Sequence, residues 1–523
     1  MAQVILVYAL CEHPSAKGDY VLAGGIAKDL VVELEQQGSD IQVILTSQQT
    51  AMTIYYSFYG PPLDERITID GVNIKLISLE QFDGVANHVV AFIDANHCQH
   101  PPVELVKRVL SLDSKILLVG AANRPYLGEG TIRDRFVAIL SEKHPGLYTY
   151  FPSEQIEVLR CGFGTVKIGF PTGRKAIELP DAEESKVPSL PYGFIYPFND
   201  EVSGFEQLSC SIGQYMQLTG CSQYLLVGGL IKARQSIEAG IEKFNQSISQ
   251  EMSSTRSPQI IYYAELNSLT MRYLKSKAVL LLFLTGTMSP LQAMHDGHLI
   301  FYHLLEHTRV FALSYLYTLR AMLACDEDMF GSLKDQLIAL SELLFAHKPL
   351  PEISMGRLSK LLGNEEVTKQ LIITNQNMVE QASGGLASKL LSFLGKPVAM
   401  SVQEKCEKAC RFLRKPDEQS SPLLQEALMR ASAWGYPFEL RILLSNMTPE
   451  QCSRQSGEKQ FSALHCAVSA GHLDCVRLLI GHGVTVDLED KDGRTPFNHA
   501  DALGRKDMIA LLVDSRKILT GLC

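Results

Sequence analysis

The segment "SALHCAVSAGHLDCVRLLIGHGVTVDLEDKDG" at 462–493 recurs 33 residues later as "TPFNHADALGRKDMIALLVDS" at 495–515. Ser462 matches Thr495, Leu464 matches Phe497, Ala467 matches Ala500, Gly471 matches Gly504, and Leu478–Leu479 match Leu511–Leu512. A fixed period of this length restricts the fold more than any other feature of the chain. One such unit cannot bury its own apolar face, so neighbouring units must stack and share a core. Ala467 and Ala500 let facing helices approach, Gly471 and Gly504 permit a tight turn between two helices, and the leucine pairs fill the shared core. "LMRASAWGYPFELRILLSN" at 428–446 is a degenerate earlier copy, three residues out of phase. About three units is near the minimum for a stable stack, so this one is expected to lean on the helices before it.

The pattern resembles the ankyrin repeat, with its TPLHxA opening, a glycine between two helices and a paired leucine. The resemblance implies a repeat stack over 426–523 that binds a protein partner. It also makes His465 a scaffold residue that hydrogen-bonds the turns, not a catalytic one.

Residues 321–425 read as an all-α connector. "FALSYLYTLRAMLA", just before and into it, then "LKDQLIALSELLFAH" and "VQEKCEKACRFLRK", carry apolar residues at helical spacing. "HKPLPE", "SGG" and "KPDEQSSP" interrupt them.

The first 310 residues alternate between strand-like and helix-like stretches. "VILVYAL", "DIQVILTS", "VVAFIDAN" and "SKILLVGA" read as strands, and "AGGIAKDLVVELEQQG" as an amphipathic helix ending at Gly38. After the Pro-rich, charged break "FPTGRKAIELPDAEESKVPSLP" a second series begins: "GFIYPF", "QYLLVGG", a helix from Ala233, "QIIYYAEL", a helix from Leu269 and "AVLLLFL". Alternation of this kind requires crossover connections and a parallel sheet. Two Rossmann-like α/β lobes follow, at 1–175 and 190–320.

Totals narrow the function classes. The 523 residues suffice for about three domains. A net charge of −9 without a basic stripe argues against a nucleic-acid binder. The 12 cysteines include no CxxC pair, which fits reduced thiols and a cytoplasmic setting. "MAQVILVYAL" lacks a basic leader region and reads as a first strand, and no apolar run is long enough to span a bilayer. No metal is expected: "HCQH" at 97–100 has no second ligand pair at a recognisable distance, and Asp326–Asp328 follows a helix-like stretch.

One stretch carries chemistry. "LLLFLTGTMSPLQAMHDGHLIFY" runs from a strand into a turn of small hydroxyl residues, then a helix, then another strand. Thr285, Gly286, Thr287 and Ser289 sit where free backbone N–H groups and the helix dipole favour an anion. Gln292 would reach a sugar hydroxyl or phosphate. Simple helix capping by Thr287 or Ser289 is the alternative reading. In the first lobe, Gly24 and Gly25 either let a ligand approach a helix N-terminus or pack the helix on its sheet.

The layout of residues 1–320 resembles the GT-B glycosyltransferases, two-lobed enzymes that use nucleotide-activated sugars. That resemblance implies a nucleotide-sugar donor bound by the second lobe and an acceptor at the first. It places the base for the acceptor hydroxyl at His13, with Asp19 as second candidate or orienting partner. Glu265 would hold ribose or base, and Lys232 and Arg234 would neutralise a diphosphate leaving group. Hydrolases and epimerases of nucleotide sugars share the two-lobed fold. A glycosyltransferase joined to ankyrin repeats resembles effectors that intracellular bacteria inject into host cytosol, with a host protein as acceptor. The competing reading is a non-catalytic binding protein on a degenerate scaffold, since Asp296 and Glu306 are the only acidic residues close after the hydroxyl turn.

Overall fold

The computed structural model describes residues 2–10, 18–84, 86–95, 105, 108–120, 150–151, 155–163, 167–171, 187–188, 191–197, 204–228, 234–248, 258–264, 266–327, 329–396, 400–419 and 422–519. Two sheets form the first 302 residues. The first contains β1 (Ala2–Tyr8), β2 (Gln42–Thr46), β3 (Arg66–Ile69), β4 (Val72–Leu76), β5 (Asn87–Ala95), β6 (Lys115–Gly120) and β7 (Ile156–Arg160). Its order is β3-β4-β2-β1-β5-β6-β7. All its pairings are parallel except the β3–β4 hairpin. The second contains β8 (Tyr192–Tyr196), β9 (Gln223–Val227), β10 (Gln259–Tyr263), β11 (Leu281–Leu284) and β12 (Leu299–Tyr302). It is wholly parallel, in the order β10-β9-β8-β11-β12. In both sheets the chain starts in the middle, winds one way, then returns and winds the other. This is the doubly wound Rossmann arrangement, and it leaves a crevice at the carboxyl ends where the order reverses. The reversal falls between β1 and β5 in one lobe and between β8 and β11 in the other.

Buried strands explain why apolar runs mark the sheets so well. Val4 to Tyr8 and Lys115 to Gly120 are buried along their whole length, as strands covered on both faces must be. Helices α1 (Gly18–Gln36), α2 (Met52–Tyr59), α3 (Gly204–Thr219), α4 (Arg234–Ile248), α5 (Ser268–Lys277) and α6 (Met288–His295) accompany the strands. The first of these begins at Gly18, five residues before the expected start.

Helices α7 (Arg309–Cys325), α8 (Gly331–Phe345), α9 (Glu352–Leu362), α10 (Glu365–Ser383), α11 (Leu386–Leu394) and α12 (Val402–Phe412) follow. They do more than connect. On α10, Gln376 Nε2 donates to the His295 carbonyl of the second lobe at 3.1 Å, and the Ala382 carbonyl accepts from Phe170 N of the first lobe at 2.9 Å. Lys405 on α12 donates to the Leu112 carbonyl and, at 3.2 Å, to Gln155 Oε1. These helices therefore bind both lobes to each other and to the repeats.

The stack comprises α13 (Leu424–Trp434), α14 (Pro437–Leu444), the short α15 (Pro449–Cys452), α16 (Ala463–Ala470), α17 (Leu473–His482), α18 (Pro496–Ala502) and α19 (Lys506–Leu519). Gly435 and Gly471, at φ 72° and 88°, end the inner helices in the left-handed region that favours glycine. Each hosts a side chain from the next unit: His472 crosses Gly435, and Arg505 crosses Gly471. Ser462 and Thr495 open their helices with matching capping boxes. The stack meets the helix before it, where Arg430 donates to the Leu413 carbonyl at 2.9 Å, and it also leans on the first lobe, which was not expected. Phe438 is buried against Tyr150 and Phe151, with ring centroids at 5.7 and 5.3 Å. The Arg441 guanidinium donates to the Arg108 and Leu110 carbonyls.

Candidate functional site at the carboxyl ends of the two sheets

The second lobe brings the hydroxyl turn to its own crevice. Strand β11, between β8 and β12, ends at Leu284, and Thr285, Gly286 and Thr287 follow before α6 begins at Met288. Thr285 is buried and its hydroxyl donates to the His303 carbonyl at 2.9 Å, which ties the turn to the strand end beside it. Gly286 adopts φ 78°, and its carbonyl accepts from the Tyr302 hydroxyl at 2.7 Å. Thr287 occupies the cap position but does not cap. Its backbone is helical, at φ −112° and ψ −53°, so Oγ1 is not turned toward the N–H groups of the first turn. Thr287 is only 6% exposed, and Oγ1 has no hydrogen-bond partner among the described residues. An unmade buried hydroxyl bond costs about 1–3 kcal/mol, so an isolated one at a strand-to-helix turn asks for a reason. Ser289, in the first turn of α6, is half-buried. Gln292 is engaged elsewhere: its Nε2 donates to Asp296 Oδ1 at 2.9 Å, at the far end of α6 from the turn.

The first lobe places different residues from those expected. Asp19 lies in the first turn of α1 and is buried. Gly24 and Gly25 are interior to α1, not at its N-terminus. A Cβ on Gly24 would strike the Tyr59 hydroxyl, and one on Gly25 would lie 2.7 Å from Pro171 Cβ. Their missing side chains admit neighbouring protein, which is the packing alternative. Arg234 opens α4 on the surface, where it pairs with Glu238 at 3.0 Å and stacks over the Tyr262 ring at 4.7 Å. His13, Lys232 and Glu265 lie outside the described residues.

Beside Asp19 is a polar group that the sequence reading missed. Tyr8 ends β1 and is paired in register with Thr46 on β2 and Asp94 on β5, the two strands that flank it. Asp94 is fully buried. Tyr20 meets Tyr55 edge-on at 5.0 Å. Thr46 Oγ1 and Tyr55 Oη are buried without a hydrogen-bond partner among the described residues. Burial pushes both the Tyr8 and the Tyr55 phenols well up, and the Asp94 carboxylate adds to the effect at Tyr8. Both phenols stay protonated at neutral pH and so carry a proton that a ligand could accept. The available signal was "AFIDAN", in which a lone acid closes an otherwise apolar strand.

The lobes also touch. Arg272 on α5 reaches Asp70, in the β3–β4 turn, at 3.3 Å, and Lys28 on α1 lies 3.9 Å from the same carboxylate.

Comparison with known proteins matches residues 428–520 to the ankyrin-repeat family, in three copies. The Notch-regulated ankyrin repeat-containing protein of Homo sapiens is 32% identical over 99 residues, which span 19% of this chain and 87% of that protein. Its Danio rerio counterpart B is 33% identical over 96 residues, or 18% of this chain and 83% of that protein. Among solved structures, a protein assigned as a UDP-N-acetylglucosamine 2-epimerase from Listeria monocytogenes aligns with 75% of this chain and 94% of its own. The TM-score is 0.38 and the identity 11%.

Proposed function

We propose, from the premise that the chain belongs to the ankyrin-repeat proteins through residues 428–520, that it is a nucleotide-sugar enzyme whose repeats recruit a protein. A glycosyltransferase acting on that protein is the preferred form. The observation that carries the reading is the Thr287 hydroxyl, buried and without a partner among the described residues, at the N-terminus of α6, where the strand order of the second lobe reverses. A diphosphate oxygen there would accept from Oγ1 and from the free N–H groups of the first helical turn, with the helix dipole in support. The Gly286 turn keeps the backbone close to such a ligand without a Cβ in the way.

In the transfer, a base removes the proton of the acceptor hydroxyl as the sugar carbon leaves the diphosphate. His13 or Asp19 would take that proton, with Tyr8 and Tyr55 as neutral hydrogen-bond donors nearby. The acceptor would be a side chain of the recruited protein. An intracellular bacterium's effector acting in host cytosol is the setting that this pairing of modules resembles.

A second reading has its own support. Gly24 and Gly25 are filled by neighbouring side chains, and Gln292 and Arg234 are tied up in local pairs. A binding protein that keeps only the scaffold would look the same at those positions. The discriminating experiment incubates the full chain with UDP-, GDP-, CMP- and dTDP-sugars and follows both melting temperature and release of the free nucleotide. A rise with one donor together with its turnover supports an enzyme. No rise with any of the four favours the binding protein.

A further inference from the structure

We infer that the repeat stack holds a divalent transition-metal site, zinc by ligand type, formed by His465, Asp490 and His499. Their ligand atoms all lie within 4.8 Å of one another. They come from three successive elements: inner helix α16, the loop that follows α17, and inner helix α18. An ion there would clamp one repeat to the next.

The donor set suits the ion. Zinc accepts imidazole nitrogen and carboxylate oxygen at about 2.0–2.2 Å, in fours. His499 Nε2 is already 2.7 Å from Asp490 Oδ2. His465 Nε2 faces the same space, 3.1 Å from the Arg494 carbonyl. His465 and Asp490 are each held from behind by neighbouring groups. His465 Nδ1 accepts from Ser462 N at 3.2 Å and also contacts the Ser462 hydroxyl at 2.9 Å. Asp490 Oδ1 accepts from the backbone N–H groups of Asp492 and Arg494, both at 2.9 Å, which leaves Oδ2 for the cluster. Phe461 stacks on the His465 ring at 5.3 Å and fixes its plane. The two imidazoles stand nearly perpendicular, with centroids 5.6 Å apart.

The hydrogen bond from His465 Nε2 to Arg494 belongs to the repeat scaffold, and the ion must replace it. On binding, the ring proton moves from Nε2 to Nδ1, which then donates to the Ser462 hydroxyl at 2.9 Å in place of accepting from Ser462 N, and water takes the fourth position. His499 is the distinctive member of the set. It occupies the variable place of the TPLHxA opening, where the preceding repeat has Cys466. A stack of about three repeats has few neighbours to share its stability, so a metal clamp there has structural value.

The test uses the full chain, stripped with chelator and titrated with Co2+ and then Zn2+. We expect one equivalent of Co2+ with the visible absorption of a four- or five-coordinate nitrogen/oxygen site, displaced by Zn2+. His499→Gln and Asp490→Asn should each remove that equivalent. The second keeps the Oδ1 acceptor and so protects the turn. X-ray absorption of the zinc-loaded native chain should show two imidazoles and no sulfur. Sulfur in the metal shell, no bound equivalent in the native chain, or undiminished binding by both variants overturns the site. None of these outcomes bears on nucleotide binding.

Discussion

Arg272 and Asp70, separated by 202 residues in sequence, meet at 3.3 Å where the second lobe faces the first. Both side chains are largely buried, and Lys28 shares the same carboxylate. The carboxylate thus sits between cations of both lobes and ties α5 to the β3–β4 turn. Asp70→Asn retains the left-handed turn, since asparagine tolerates the φ of 56° found there, but removes the charge that Arg272 meets across the lobes, while Lys28 keeps Asp29 at 3.0 Å. We expect a loss of about 2–4 kcal/mol in denaturant unfolding of the full chain. A change below about 0.5 kcal/mol would mean that the pair is solvated and unimportant.

Arg441 docks the repeats on the first lobe through two backbone carbonyls. Burial lowers its guanidinium to about 10, a measure of how dry the seam is. Arg441→Met strands those carbonyls while keeping the volume of the stem. The stack should loosen, seen as faster protease cleavage between 413 and 423 and a larger radius of gyration by solution scattering.

Gly471→Ala tests the repeat packing. The residue sits at φ 88° with the Arg505 guanidinium across its face. Left-handed backbone alone costs an L-residue about 1–2 kcal/mol, and the added methyl must also displace Arg505. The melting transition should fall by several degrees.

Lys348 supplies a pH test. Its ammonium is buried and donates to the Leu343, Leu344 and Ala346 carbonyls, at 3.1, 2.9 and 2.8 Å, at the end of α8. Burial lowers its pKa from 10.5 to about 7. Between those values the unfolded chain binds more protons than the folded one, so stability should rise with pH across that window. Below about 7 both states are protonated and the cost of burying the charge is felt in full. Lys348→Met should flatten the slope between pH 7 and 10 by up to about 1.4 kcal/mol per pH unit. An unchanged slope would show that the amine is solvated.

Sequence legibility followed the range of the forces involved. The repeats were readable because spacing is local: Gly471 and Gly504 recur with their alanines and leucines. The out-of-phase first copy is explained by the longer link after α14, which holds the short α15. Apolar runs marked β1, β2, β5, β6 and β8 to β12 because buried parallel strands need them on both faces. The β3–β4 hairpin was missed although Asp70–Gly71, both at positive φ, is a recognisable two-residue turn signal between alternating strands. The early start of α1 was hidden because Gly24 and Gly25 read as the N-terminus of the helix, whereas they lie inside it and leave room for Tyr59 and Pro171. At the site, the Gln292–Asp296 pair was visible as an i, i+4 spacing. The state of the Thr287 hydroxyl was not, because a cap forms or fails on a backbone angle that no residue type reports.

That hydroxyl is the most direct test of the account. Isothermal titration of the full chain with UDP, GDP, CDP and dTDP, repeated with Thr287→Val, removes one donor while keeping shape. The account predicts that one diphosphate binds and that the valine variant binds it about tenfold or more weakly, as expected for a lost hydrogen bond to a charged group. Binding of none of the four, or equal affinity in the variant, would contradict it.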